Sequence, residues 1–233
     1  MTSAALLAGA LLMGLGGRVP QPAGAEANDA APRLRAGLAQ VREHCELRRL
    51  LLASGCVAVF GAAVLPVEAA FVIGTLGGDE ADFGLVLTLW GVGAVVGSSA
   101  LSLLRRVPVS VLVVGAFLVL SLSYAGMGLA TTIPVVAAFS FLGGIANGVE
   151  AFALMTALQE RTPPALQARV NGLFESVGAG GCGLGFMIGG VLASAASARA
   201  VYVVAALGII LAAGCAAPRR RRIAGARLAE LPA

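Results

Sequence analysis

The fold is decided by residues 108–130, PVSVLVVGAFLVLSLSYAGMGLA, which carry no charged side chain. At a rise of about 1.5 Å per residue, a helix of this length covers the roughly 30 Å hydrocarbon core of a bilayer. Lipid offers the backbone no hydrogen-bond partner, so a segment that crosses it has to be helical. The stretch therefore predicts a membrane-spanning helix.

Similar apolar stretches, divided by charges and prolines, make up most of the 233-residue chain. The chain is 58% hydrophobic and only 12% charged, whereas soluble domains carry about 25% charged residues. We therefore predict an all-α integral membrane protein with six full transmembrane helices and a partial helix at residues 3–16. The full spans are expected at residues 49–75, 83–104, 108–130, 134–158, 168–193 and 199–217.

The basic residues, all of them arginines, predict the orientation of these spans. Six spans would place 15 of the 16 basic residues on one side, and Arg199 alone on the other side together with the acidic turn at residues 79–82. Cytoplasmic connections carry the excess of basic residues. We therefore predict a multi-pass protein of the cytoplasmic (inner or plasma) membrane, with its C-terminus in the cytoplasm.

Composition divides the chain into four parts. Residues 1–16 are expected to form a partial transmembrane helix, 17–48 a cytoplasmic linker, 49–217 a six-helix transmembrane half-domain, and 218–233 a basic cytoplasmic tail. A secretory signal is the alternative interpretation of residues 1–25, but no basic residue precedes the apolar run. The linker predicts an amphipathic helix along the membrane surface or, equally, a solvated one. Its apolar positions at helical spacing are Leu34, Leu38, Val41 and Cys45.

The chain lacks the patterns of a catalytic, metal or cofactor site. The cysteines lie singly at residues 45, 56, 182 and 215, without the spacing of metal ligands or a disulfide framework. Gly178, Gly180 and Gly183 form a GxGxxG, but no strand precedes them, so we interpret them as packing glycines. His44 lies in the linker and cannot serve as a base within the membrane. We predict no enzyme activity, no cofactor, no metal and no nucleic-acid partner.

Two stretches carry a family resemblance. The second span reads GLVLTLWGVGAVVGSSALSLL from Gly84 and runs into Arg105 and Arg106. Residues 159–172, QERTPPALQARVNG, precede a helix dense in glycine. In their order these stretches resemble the major facilitator superfamily, and within it the drug and siderophore exporters. The second span lacks the acidic residue usually found in that helix of the family. In this it resembles the second half of such transporters.

The resemblance implies that the six full spans are helices seven to twelve of a 6+6 bundle, and that residues 3–16 are a remnant of helix six. The implied function is secondary active transport, as proton-coupled export of a drug-like or siderophore-like small molecule by alternating access. The implied partners are the lipid bilayer, a small-molecule substrate, and a missing N-terminal half or partner half-transporter. The alternative is a nonfunctional truncated remnant or a non-transporting membrane interaction protein.

Three carboxyl groups within apolar spans are the candidate site residues. A charge near the bilayer centre costs about 2.5 to 3.5 kcal/mol on insertion scales, so such groups need partners or water. Glu150 follows Asn147 by one helical turn, and we predict either proton or substrate coupling there or a structural hydrogen bond. Glu68 follows Pro66, which loosens a helix by its missing N–H, and is a second coupling candidate.

Glu175 has a different interpretation, because it lies toward the cytoplasmic edge. We predict that it forms a structural ion pair in a cytoplasmic charge network with Arg105, Arg106 or Arg169. Trp90 and Tyr124 could touch substrate, but isolated aromatic residues in spans more often pack or anchor the helix at the interface.

Overall fold

The structure, a computed structural model, describes residues 41, 44–100 and 107–217. Within that part the chain is helical, and six helices are long and apolar enough to cross a membrane, which confirms the predicted all-α membrane fold. The partial helix at 3–16, most of the linker and the tail at 218–233 lie outside the described residues. The six helices are α1 (Cys45–Ala69), continued by a π-helical segment (Ala70–Thr75), α2 (Glu80–Ala100), α3 (Val109–Leu129), α4 (Ile133–Arg161), α5 (Pro164–Ala195) and α6 (Ala198–Ala216).

Local chemistry sets the helix ends. At the start of α2, the Asp79 N–H donates to Asp82 at 3.1 Å and the Asp82 N–H donates back to Asp79 at 2.9 Å, a reciprocal cap. Gly77, with φ of 71°, makes the turn that precedes it. The acidic turn therefore has a structural role in starting a helix.

Two helices begin four residues earlier than the sequence pattern predicted. α5 starts at Pro164 instead of 168, because a proline fits the first helical turn, where no N–H is needed. The Gln167 amide then donates to the carbonyls of Gln159 and Thr162, both at 3.3 Å, and closes the turn between α4 and α5. α1 starts at Cys45, after His44 in an extended conformation, so Cys45 belongs to the first span and not to the linker helix.

The packing of the helices follows a repeat of three. Two pairs of helices pack along each other, α2 with α4 and α1 with α5. Three further pairs are in contact: α3 with α4, α1 with α6, and α3 with α6. Exchanging α1–α3 with α4–α6 leaves this set of contacts unchanged. Because each unit holds three spans, the two units run in opposite directions through the membrane, as in the inverted repeats of transporters.

Glycines bring the two closest helix pairs into contact. A Cβ at Gly93 or Gly97 of α2 would meet the backbone of α4 at Phe141 or Ile145. Small residues of this kind let membrane helices approach closely. On the other pair, Gly185 and Gly189 of α5 lie in the same way against the backbone of α1 at Val59 and Ala63.

The packing role predicted for Gly178, Gly180 and Gly183 was wrong. Apart from the nearby backbone of α5 itself, no atom of the described residues lies within 4 Å of a Cβ placed at any of these three positions. The contact face of α5 instead holds Gly181, Gly185 and Gly189, which follow each other every four residues and therefore lie on one side of the helix.

Polar side chains join the helices elsewhere. The Ser140 hydroxyl donates to the Val86 carbonyl of α2 at 2.8 Å, and Ser121 of α3 donates to the Ala206 carbonyl of α6 at 2.8 Å. The Arg161 guanidinium lies 2.9 Å from the Glu46 carboxylate. This ion pair joins the end of α4 to the start of α1, so both ends lie on the same side of the membrane.

Candidate functional site

Glu150 and Asn147 lie together in the interior of α4. Glu150 is 8% exposed, and the Asn147 amide donates to its carboxyl oxygen at 3.5 Å, the outer limit of a hydrogen bond. Glu150 is about three turns from the Arg161 end of the helix, or roughly 16 Å along its axis. The predicted pair is thus formed, and this weak bond is the one the described residues give to the carboxyl group.

Glu68 is the second buried carboxyl group. It is 7% exposed. It lies on α1 two residues after Pro66 and two residues before the first residue of the π-helical segment Ala70–Thr75. Short π-helical segments occur frequently at functional sites. In the described part of the chain, Glu68 and Glu150 are the two buried charged residues.

Four aromatic rings from different helices lie in contact with one another near these carboxyl groups. Trp90 of α2 stacks on Tyr124 of α3 with centroids 5.8 Å apart, and Tyr124 lies 6.3 Å from Tyr202 of α6. Tyr202 in turn lies 4.9 Å from Phe71. Tyr124 is within electrostatic range of both Glu68 and Glu150. Tyr124 therefore lies near both acidic residues.

Tyr202, like Phe71, belongs to this cluster although the sequence analysis did not indicate it. Its side chain is fully buried, and its hydroxyl has no hydrogen-bond partner among the described residues. It lies within electrostatic range of Glu68. A tyrosine in an apolar helix gives no local signal of this placement, because its neighbours come from α1 and α3.

Glu175 and Arg169 lie apart from the buried carboxyl groups. Both are exposed on α5 and make no ion pair with each other, so that pairing of the predicted charge network is not formed. Arg105 and Arg106 lie outside the described residues, and pairing with them stays a prediction. Glu175 lines a cavity of about 440 Å³ between α1, α4 and α5.

The described residues hold no group of three His, Cys, Asp or Glu side chains that could bind a metal ion. All four cysteines are free thiols and lie apart. What the buried site offers is two carboxyl groups that can each take up or release a proton, one amide donor and a set of aromatic surfaces.

A family comparison covers this six-helix unit. The family described as Major Facilitator Superfamily matches residues 50–230, which include most of α1 and the whole of α2 to α6. The chain belongs to the Major Facilitator Superfamily. No curated protein matches the chain significantly.

Membership in the Major Facilitator Superfamily makes this chain a multi-pass membrane protein of a secondary-transporter family, and the family is not enzymatic. Major facilitator proteins place substrate and coupling-ion sites near the bilayer midplane, at the interface of their repeats. In this chain α1 and α4 occupy equivalent positions in the two three-helix units, and each carries one buried carboxyl group.

Proposed function

We propose that the six described helices form the C-terminal six-helix half of a proton-coupled exporter of a drug-like or siderophore-like molecule. The two halves of such a transporter rock about a midplane site, so that access alternates between the two sides of the membrane. The other half comes from another part of a longer chain or from a partner half-transporter. The C-terminus lies in the cytoplasm, which is the orientation that the arginine distribution favours.

The observation that carries this proposal is the pair of buried carboxyl groups. Glu68 on α1 and Glu150 on α4 are buried at equivalent helices of the inverted repeat, in a membrane domain that has no other buried charge among its described residues. An ionised carboxylate in this setting is costly, and a neutral one is far less so. Loss of the proton therefore favours conformations that expose the carboxylate to water, and uptake of a proton favours those that bury it. This couples protonation to the side of the membrane on which the site is open.

The exposed faces of α2 and α5 support a second six-helix half. In the most apolar 18-residue stretch of each of these helices, 17% is buried inside the bundle, compared with 39 to 44% in the corresponding stretches of the other four helices. Both helices also hold their glycine faces against α4 and α1, so their remaining surfaces point outward. These surfaces are available to contact a facing half as well as lipid.

The assignment to the C-terminal half and to the exporter group rests on the sequence motifs. The glycine-rich α2 runs toward Arg105 and Arg106 without the acid usual in a first half, and the QERTPPALQARV stretch connects α4 to α5. The Gln167 hydrogen bonds explain why part of that stretch is suited to a tight cytoplasmic turn.

The test is Glu150→Gln in the transporter assembled with its second half, measured as uncoupler-sensitive efflux of a fluorescent dye or a siderophore from vesicles. The amide keeps a polar group next to Asn147 but cannot carry a proton, so we expect normal insertion and a loss of proton-driven transport of at least about 100-fold, as for removal of a general acid or base. The matched control is Glu80→Gln, an exposed carboxyl in the first turn of α2. Full proton-driven efflux by Glu150→Gln with unchanged pH dependence would eliminate the coupling role.

A further inference from the structure

An apolar groove runs along the surface of the bundle between α3 and α6, and we call it the α3/α6 groove. Its volume is about 360 Å³. None of its lining residues carries a charge, so the groove suits a hydrocarbon ligand. The walls are exposed aliphatic side chains, which are Leu118, Leu122 and Leu129 of α3 and Leu207 and Ile210 of α6.

The floor of the groove consists of small residues whose polar groups are paired with each other. Ser121 and Ala206 are buried there, and the Ser121 hydroxyl donates to the Ala206 carbonyl at 2.8 Å. This bond joins the two helices and leaves no hydroxyl proton for a ligand. Ala125 adds only a methyl group to the lining. The groove therefore offers apolar contact rather than hydrogen bonds.

The length and position of the groove match one leaflet of a bilayer. Leu118 lies near the middle of α3, and Leu129 is the last residue of that helix. The two residues are about 16 Å apart along the helix axis, and half of a hydrocarbon core of about 30 Å is about 15 Å. A groove that extends from the midplane to the end of a spanning helix can hold one acyl chain of a lipid along its length.

A positively charged side chain lies at the Leu129 end of the groove. Arg199 stands one turn before Val203, a lining residue, and its guanidinium donates to the carbonyl of Gly128 at 3.0 Å. That bond uses only one of the N–H donors of the guanidinium, and the Phe71 ring lies on one side at 5.5 Å. No described carboxylate lies within ion-pair distance of Arg199. The side chain therefore keeps a positive charge and further donors for an anion.

A phospholipid combines the two groups that this surface would bind. Its phosphate lies at the level where a spanning helix ends, and its acyl chains extend from there toward the midplane. Guanidinium groups bind phosphate oxygens through charge-assisted hydrogen bonds that are frequently paired. Every membrane lipid offers an acyl chain, so the groove alone selects none of them. The positive charge of Arg199 favours a lipid with a net negative charge.

The arrangement of the helices favours lipid over a protein partner at this groove. The extensive contacts between helices run in the order α2, α4, α3, α6, α1 and α5. The groove lies between the two central helices of this order, whereas α2 and α5, which we assign to contact with a second half, stand at its two ends. The lining residues of α3 also lie on a different face from Leu120 and Tyr124, which are buried in the bundle.

We propose that the α3/α6 groove binds one acyl chain of an anionic phospholipid, and that Arg199 holds the phosphate of that lipid. The site belongs to the membrane surface of the six-helix unit and goes beyond the proposed transport function. In the predicted orientation it draws its lipid from the outer leaflet. The bound lipid would cover the exposed walls of the groove and shield the charge of Arg199.

The experiment uses the chain in vesicles of phosphatidylcholine and phosphatidylglycerol, with brominated acyl chains on one lipid at a time. Trp90, the single tryptophan, is replaced by Phe, and Leu122→Trp places a reporter on the wall of the groove. Bromine quenches tryptophan fluorescence on contact, so quenching at different lipid compositions gives the relative affinity of the two lipids at this point. We expect a preference of roughly fivefold for phosphatidylglycerol.

Variants of the chain separate the charge from the groove. Arg199→Gln keeps a donor for the Gly128 carbonyl but loses the charge, so the two lipids should then bind equally, while Arg199→Lys should retain part of the preference. Ala125→Leu fills the groove and leaves Arg199 in place, and it should also reduce the preference. The control reporter is Leu87→Trp, an exposed position of α2 in the same leaflet, which should show no preference for phosphatidylglycerol.

Three outcomes would overturn the inference. Equal affinities at the Leu122→Trp reporter with Arg199 present, or a preference that survives Arg199→Gln, would show that Arg199 does not select the lipid. A full preference in Ala125→Leu would show attraction to the surface charge without a chain in the groove. Weak quenching by both lipids that increases when the protein is diluted with lipid would mean that a second copy of the chain covers the groove.

Discussion

Gly189 of α5 allows a quantitative test of the predicted helix packing. A Cβ at this position would meet the carbonyl oxygen of Ala63 on α1, and would lie 2.8 Å from its carbonyl carbon and 2.9 Å from its Cα. Carbon atoms pack at about 3.5 to 4.0 Å, so Gly189→Ala forces α1 and α5 apart by roughly 1 Å. The obstacle is backbone, which cannot rotate away as a side chain does.

The neighbouring residue supplies the control, since a Cβ at Gly190 would meet no atom of another described helix within 4 Å. Overpacking of this kind costs about 1 to 3 kcal/mol, whereas alanine in an open helical position gains up to about 1 kcal/mol over glycine. Both variants gain this helix propensity, so they should differ by the overpacking cost alone, about 2 kcal/mol. For a domain of this size that corresponds to a difference of roughly 4 to 8 °C in Tm.

The assay is thermal unfolding of both variants in detergent, followed by the loss of the monodisperse peak in size-exclusion chromatography. Gly97→Ala, in the corresponding pair of the other repeat, should behave like Gly189→Ala because its Cβ would meet the Ile145 carbonyl of α4. Equal melting temperatures for Gly189→Ala and Gly190→Ala would refute the close approach of α1 and α5.

Two further predictions follow from the topology and from the aromatic cluster. An impermeant maleimide should label a cysteine introduced at Asp82 in intact cells but not Cys45, and the reverse pattern would contradict the orientation. Tyr202→Phe should leave Tm unchanged or raise it slightly, because the hydroxyl it removes is buried without a partner in the described structure. A loss of several degrees would mean that the hydroxyl is hydrogen-bonded after all.

The number and positions of the helices could be predicted because a membrane span has to be long, apolar and helical. The errors lie at the helix ends, where specific contacts decide. α1 begins before the apolar run because Cys45 follows an extended His44, and α5 begins early because Pro164 favours a first turn. Average hydrophobicity carries no information about such starts.

The candidate site could be predicted only where its residues are close in sequence. The pairing of Asn147 with Glu150 follows from their spacing on one helix. The contact of Tyr124 with Tyr202 joins α3 to α6, and it depends on helix packing that no local pattern specifies. The glycines of α5 show the same limit, because glycines lie on both sides of that helix and packing decides which side is used.

Arg199 shows how a tertiary contact can explain an exception to the arginine distribution from which the orientation is predicted. By count it is the one arginine that opposes the predicted orientation. Its guanidinium donates to the Gly128 carbonyl near the end of α3 at 3.0 Å and lies 5.5 Å from the centre of the Phe71 ring. A cation at a helix C-terminus stabilises the exposed carbonyls there. Arg199 thus has a structural reason to stand on its side of the membrane. The predicted placement of the other arginines on the opposite side then favours a cytoplasmic C-terminus more strongly than the bare count.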